Sequence, residues 1–222
     1  LGDVYKRQVV DYIEGRITTK EFLDAAIADE RVYQWLQSVV PAGKIGYYDT
    51  SVDENGKATQ EVGPYDVRRV IAGFWKYPRD RLGNELNTHY EITRIFREAF
   101  PQEHITPDQS IEEKFDFLLE ACPSYIGGEE VAESGILERL YERIPKELGK
   151  SAQKKWFREE VKKLFLIEGK HYPHWLQEPE WPMSDGKPMK YISSKKRCGG
   201  EGREYLFEDT HTHRTRTVVQ YF

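Results

Sequence analysis

The stretch EPEWPMSDGKPMKYISSKK (178–196) decides the fold, because there the chain stops reading as helix. Pro173, Pro179, Pro182 and Pro188 each forbid helix interior and push the preceding residue toward extended geometry. Three segments around and beyond them alternate as strands. Lys187–Ser193 sets Met189 and Tyr191 against Lys190 and Ile192. Arg203–Glu208 puts Tyr205 and Phe207 on one face, and Thr215–Phe222 sets Thr217, Val219 and Tyr221 against Val218, Gln220 and Phe222. The economical arrangement is an antiparallel meander with one face on a helical body. Three strands are marginal alone, so Trp175 and Trp181 are expected to fix the sheet to the helices.

Working back toward the N-terminus, apolar residues recur at helical spacing. Thr18 and Glu21 mark a helix start before Phe22, Leu23 and Ala26, and Val32, Trp35, Leu36 and Val39 follow Asp29. Further helices are predicted from Pro64 to Trp75, from Asn84 to Phe100 and from Ile111 to Cys122, the last with a capping box of Ser110 and Glu113. Glu129–Ile144 carries Gly135, which weakens a helix interior by about 1 kcal/mol and predicts a break. Ser151 is expected to cap Ala152–Leu166. Between these helices, residues 44–62 read as a β-hairpin around Asn55-Gly56. The predicted class is α+β: a mainly helical body over 9–168, then a Pro/Trp-rich segment and meander over 169–222.

Composition bounds the function. The 222 residues include 38 % hydrophobic, 32 % charged and 13 % aromatic side chains, enough for one aromatic-rich core under a charged surface. The net charge of −5 argues against a dedicated nucleic-acid binder. It is uneven: 15 basic and 10 acidic residues follow from Lys150 on, against 18 and 28 before. Two distant cysteines, Cys122 and Cys198, suit a reducing cytoplasm, and no apolar run approaches the length of a membrane span. Leu1–Gln8 ends in DVYKRQ, the translation of GAT-GTG-TAT-AAG-AGA-CAG, a transposon end used in sequencing libraries. Residues 1–8 are therefore expected to be non-native, and the fold prediction leaves them out.

Candidate chemistry is sparse. His171 with His174 and His211 with His213 would supply four zinc ligands if the two segments met, although short H-x-x-H and H-x-H spacings are ordinary on surfaces. Glu208-Asp209 at a strand end reads as turn chemistry. No nucleophile elbow and no phosphate loop is present, and no cofactor is expected. The binding candidates are Lys195, Lys196, Arg197 and Arg203 around a glycine-rich loop, with Trp175 and Trp181 as aromatic contacts.

Two motif sets carry a resemblance. Ile126-Gly127-Gly128 followed later by Trp181, Pro182, Gly186, Lys187, Pro188 and Met189 resembles the IGG and WP signature of YwqG-like bacterial proteins. Here about fifty residues separate the two elements, which stand close together in that family. Over most of residues 9–222 the chain is similar to a group of gut-Firmicutes-type proteins ending in PEWP, GKP, FED and VVxQ(Y/F) elements. That resemblance implies no activity, carries over no catalytic residue, and implies that His211 and His213 are turn residues. The expected function is a non-enzymatic bacterial cytosolic interaction protein with a protein partner, in the manner of a toxin-immunity protein. The alternatives are a metal-dependent enzyme using the C-terminal histidines, or a weak nucleic-acid binder through the basic C-terminal third.

Overall fold

The computed structural model describes residues 2–40, 46–52, 58–64, 67, 81–197 and 199–222. The fold is α+β. Among the described residues there are eight helices and a C-terminal three-stranded antiparallel sheet, with two smaller two-stranded ladders. The chain divides into two compact units, Leu1–Tyr77 with Leu82–Glu112, and Pro78–Arg81 with Glu113–Phe222.

The first unit contains α1 (Gly2–Ile13), α2 (Thr19–Ala28), α3 (Glu30–Val39), the hairpin β1 (Gly46–Val52) and β2 (Ala58–Pro64), and nearly all of α4 (Arg81–Ala99). The hairpin is antiparallel, with Tyr48 opposite Val62; its Asn-Gly turn lies outside the described residues, and of the helix predicted over 64–75 only Pro64, which ends β2 instead of opening a helix, and Val67 are described. Thr18 caps α2 in a reciprocal box with Glu21, as its spacing predicts. Gly2–Gln8, set aside in the fold prediction, fold as the first turns of α1. Tyr5 is buried, and Lys6 pairs with Glu103 at 2.5 Å while lying over the Phe100 ring. Tyr12 and Phe22 stack at 4.4 Å in the core, and the His89 Nε2 hydrogen-bonds the Ile13 carbonyl at 2.9 Å. Burial raises the Tyr12 phenol well above its ordinary pKa, so it stays neutral.

The second unit contains α5 (Ser110–Ala121) from Glu113 on, α6 (Glu129–Ser134), α7 (Ile136–Glu142) and α8 (Lys150–Leu164). The break between α6 and α7 falls at Gly135, which adopts the left-handed φ of 62° that its lack of a Cβ permits. Two caps differ from expectation. Ser110 is already helical and its hydroxyl donates to Asp108 at 2.5 Å, so the carboxylate takes over the start of the helix. Helix α8 is capped by Gly149, two residues earlier than predicted, which leaves Ser151 exposed in the first turn.

β3 (Met183–Ser184) and β4 (Lys187–Pro188) form a minimal ladder closed by Asp185-Gly186, both at positive φ as a two-residue hairpin turn requires. β5 (Lys190–Lys196), β6 (Gly202–Glu208) and β7 (Thr215–Tyr221) follow in the order β5-β6-β7. The predicted strand over 187–193 is therefore split, because its first residues pair back on Met183–Ser184. Tyr205 and Phe207 are fully buried on the inner face, with Met189 and Tyr191 beside them.

Trp181 joins this sheet to the helices. It is 1 % exposed, meets Phe165 and Phe207 edge-on at 5.1 and 5.4 Å, and its indole N–H donates to the Met189 carbonyl at 2.9 Å. Burying such a ring contributes about 2–3 kcal/mol, with about 0.5–1.5 more for each well-set ring pair. Its backbone N–H donates to the Gly127 carbonyl at 2.9 Å. Gly128 sits against the same segment with φ 114° and ψ 166°, a region open essentially to glycine alone. A Cβ there would lie 3.0 Å from the Glu180 Cα and 3.1 Å from the Pro179 carbonyl oxygen, both rigid backbone. The prediction is that Gly128→Ala destabilises by about 1–3 kcal/mol, read as a lowered urea midpoint. Ser151→Ala, which removes a hydroxyl that caps nothing, should stay within about 0.5 kcal/mol.

Candidate functional site

The Pro/Trp segment before the sheet is held by hydrogen bonds from both sides. The Trp175 indole donates to the Tyr125 carbonyl at 2.9 Å, and Tyr125 stacks on Tyr172 at 3.9 Å. The Tyr205 hydroxyl donates to the His174 carbonyl at 2.8 Å. Gln220 is the residue the sequence pattern missed. It is 1 % exposed, its Oε1 accepts from Leu176 and Gln177 N–H at 3.0 Å each, and its Nε2 donates to the Glu178 carbonyl at 2.7 Å. An amide in an otherwise apolar strand face was its only signal, since a buried polar side chain has to find partners.

The structure scatters the predicted binding residues. Trp181 has no free face, and Trp175 is half-buried against the rings of Tyr205 and Phe207. Lys195 and Lys196 stand on β5 rather than in a loop, and Arg203 stands on β6, in the strand its segment predicts; the connection is only 197–201. Glu204 takes both Lys195, at 3.2 Å, and Arg197, at 3.4 Å, and Arg197 also lies over the Tyr221 ring. Arg203 is half-buried, with a long 3.4 Å hydrogen bond to Ser194. Lys196 is exposed. The basic stripe on α8 is likewise interleaved with acids: Lys154 pairs with Glu120, Lys162 with Glu159 and Lys163 with Glu160. Local ion pairs of this kind compensate the positive charge on which a nucleic-acid surface would depend.

The four histidines do not assemble. His171 packs by Tyr191 and His174 by Tyr172, whereas His211 and His213 lie in the β6–β7 turn. Among the described residues no three His, Cys, Asp or Glu side chains form a metal-holding group. The turn has its own structure. The Asp209 carboxylate accepts from His211 N–H at 2.8 Å, Thr212 N–H at 3.2 Å and the Ser184 hydroxyl at 2.5 Å, and His213 Nδ1 lies 2.7 Å from Glu208. Glu208-Asp209 thus does turn work. Cys122 is also withdrawn from chemistry: burial, helped by Glu138, pushes its thiol up to about 12.

Two clefts are described in this unit. One, of about 790 Å³, has Phe117 and Tyr141 in its floor, between Glu113 and Asp116 of α5 and Lys146 and Lys150 near the start of α8. Its oppositely charged walls are bridged by the Lys154–Glu120 pair. The other, of about 440 Å³, lies between α6 and β7, with Glu129, Glu130, Glu133 and Glu180 facing Arg216–Val219. Glu130 holds this cleft together. It takes Arg216 in a two-pronged pair at 2.5 and 2.9 Å and the Met183 N–H at 2.9 Å. Burial raises the Glu130 pKa, but the Arg216 and Met183 bonds outweigh it and hold the carboxyl below its ordinary value. Both side chains are more than a third exposed, so the pair contributes roughly 0–1 kcal/mol and mainly sets position.

The sheet has two unequal edges. β5 carries Lys190, Lys195 and Lys196, and a bulge at Ile192 interrupts its register between Tyr191 and Ser193. Lysines and bulges are standard protection against stray strand pairing. β7 has no bulge, no lysine and no proline, and its register runs unbroken from Thr215 to Tyr221. Among the described residues no strand pairs with its outer side. The Asp209 N–H to Arg214 carbonyl bond fixes the phase of the ladder, so Thr215, Thr217 and Val219 turn their backbone groups outward. The Gln177 side chain covers only the end, donating to the Tyr221 carbonyl at 2.9 Å.

Asp209 yields a pH prediction. The Ser184 hydroxyl first, then the turn N–H groups, hold its carboxyl well below the usual range. A depressed acid stabilises fully above its unfolded value of about 4 and loses that contribution as pH falls toward its folded value. Asp209→Asn should therefore lower Tm by a constant amount between pH 5 and 8, and thermal melts should show the gap narrowing from pH 4 to 3. No family model matches the chain, and no curated protein or solved structure matches it.

Proposed function

We propose that the protein is a non-enzymatic interaction protein of the bacterial cytosol that docks another protein on the outer edge of β7. The observation that carries this reading is the asymmetry of the sheet. One edge bears the charges and bulge that deter pairing, and the other is regular, exposed and bordered by a cleft. Strand addition to such an edge supplies backbone hydrogen bonds for affinity, and the side chains along the cleft supply selectivity. Among the described residues no helix is long and apolar enough to cross a bilayer. A toxin-immunity role is one form this activity could take.

The test uses Thr217→Pro. Thr217 is exposed and its N–H points outward, so proline removes an edge donor without touching the β6 ladder. Bait and variant are compared in pull-downs from lysate of cells that carry the gene, with near-UV circular dichroism confirming the fold of both. A protein retained near one-to-one by the parent and lost from Thr217→Pro supports the reading. Equal retention by both, or no stoichiometric protein at all, overturns it.

A further inference from the structure

We infer that the occupant of the β7 edge is an extended segment with basic side chains at alternate positions, laid between β7 and α6. The inference rests on the edge reading and adds the chemistry of the partner. The cleft wall opposite the strand is acidic. Glu129 and Glu133 are both exposed and stand four apart on α6, so they share one face of the helix. Among the described residues Arg216 is the one basic side chain lining the cleft, and both its terminal nitrogens are already engaged by Glu130. The cleft therefore presents excess negative charge beside a row of outward backbone groups.

Three physical points favour a cationic strand over a neutral or acidic one. Like charges at i and i+4 cost an isolated helix about 0.2–0.5 kcal/mol, a repulsion that a bound cation relieves. The rise from i to i+4 along a helix is about 6 Å, close to the roughly 6.8 Å between side chains on one face of a strand. Each carboxylate can then meet one of two successive basic side chains. An acidic strand would instead bring like charges together next to a half-covered sheet, the arrangement that excludes wrong partners most strongly. The strand β5 of a second copy is itself basic, but the bulge at Ile192 breaks the regular backbone it would have to offer.

Fluorescein-labelled seven-residue peptides test this by anisotropy at low and physiological salt: alternating Lys/Thr, alternating Glu/Thr, alternating Ser/Thr, and a Lys/Pro peptide with the charge of the first but no capacity to extend a sheet. The expected result is that Lys/Thr binds at least tenfold more tightly than Glu/Thr and Lys/Pro. The double substitution Glu129→Lys with Glu133→Lys should reverse the order of Lys/Thr and Glu/Thr, and Thr217→Pro should abolish binding of both. Unchanged preference in the charge-reversed protein, Lys/Pro binding as tightly as Lys/Thr, or no binding of Lys/Thr overturns the inference. Ser/Thr bound as tightly as Lys/Thr, with both lost from Thr217→Pro, overturns it while leaving the edge reading intact. Thr217→Pro binding like the parent removes both. A dimer in sedimentation velocity that dissociates in Thr217→Pro identifies a second copy as the occupant and also overturns it.

Discussion

The second unit depends on the close approach of Gly127-Gly128 to Pro179-Glu180-Trp181. More than fifty residues apart in sequence, Gly127 and Trp181 come within a hydrogen bond of each other, Trp181 N–H to Gly127 carbonyl at 2.9 Å. Only glycine at 128 allows it, because any Cβ would press on peptide atoms that cannot yield. With that contact made, Trp181 lies between Phe165 and Phe207, and the sheet gains the apolar cover that three strands cannot provide for themselves. The IGG and WP elements that stand out as separate motifs in the sequence are one structural joint.

From that joint the polar ties follow. Glu130, two residues into α6, reaches Met183 and Arg216, and Gln220 reaches back to the chain at 176–178. The exposed ion pairs contribute little to stability individually, whereas Gln220 is buried with both its amide oxygen and its amide nitrogen hydrogen-bonded. Losing one of its partners would strand a buried polar group, at about 1–3 kcal/mol. The same ties leave Thr215–Val219 as open edge, because the covering segment reaches only the far end of β7. Openness here is a consequence of where the chain returns.

Much of this was legible in local chemistry. The Thr18–Glu21 box, the break at Gly135, the alternation that buries Tyr205 and Phe207, and the Asp209 turn all follow from propensities acting over a few residues. The errors have equally local causes. Ser110 and Ser151 look like caps, but Asp108 and Gly149 stand just ahead of them and take the role. Lys195 and Lys196 read as loop because strand propensity is low for lysine, yet pairing with β6 carries them into β5.

The sequence by itself determined the class, most of the helices from Thr18 on, the C-terminal meander, and the inward side of the strands that carry Tyr191 and Tyr205, since these depend on periodicity and turn chemistry. Only tertiary structure decided that Trp181 is core rather than contact surface, that the histidine pairs stay apart, and that Glu130 and Arg216 meet across 86 residues. It also decided which sheet edge is guarded and which is open. Those outcomes depend on strand order and on the single close approach at Gly128, and neither is encoded in the spacing of neighbouring residues.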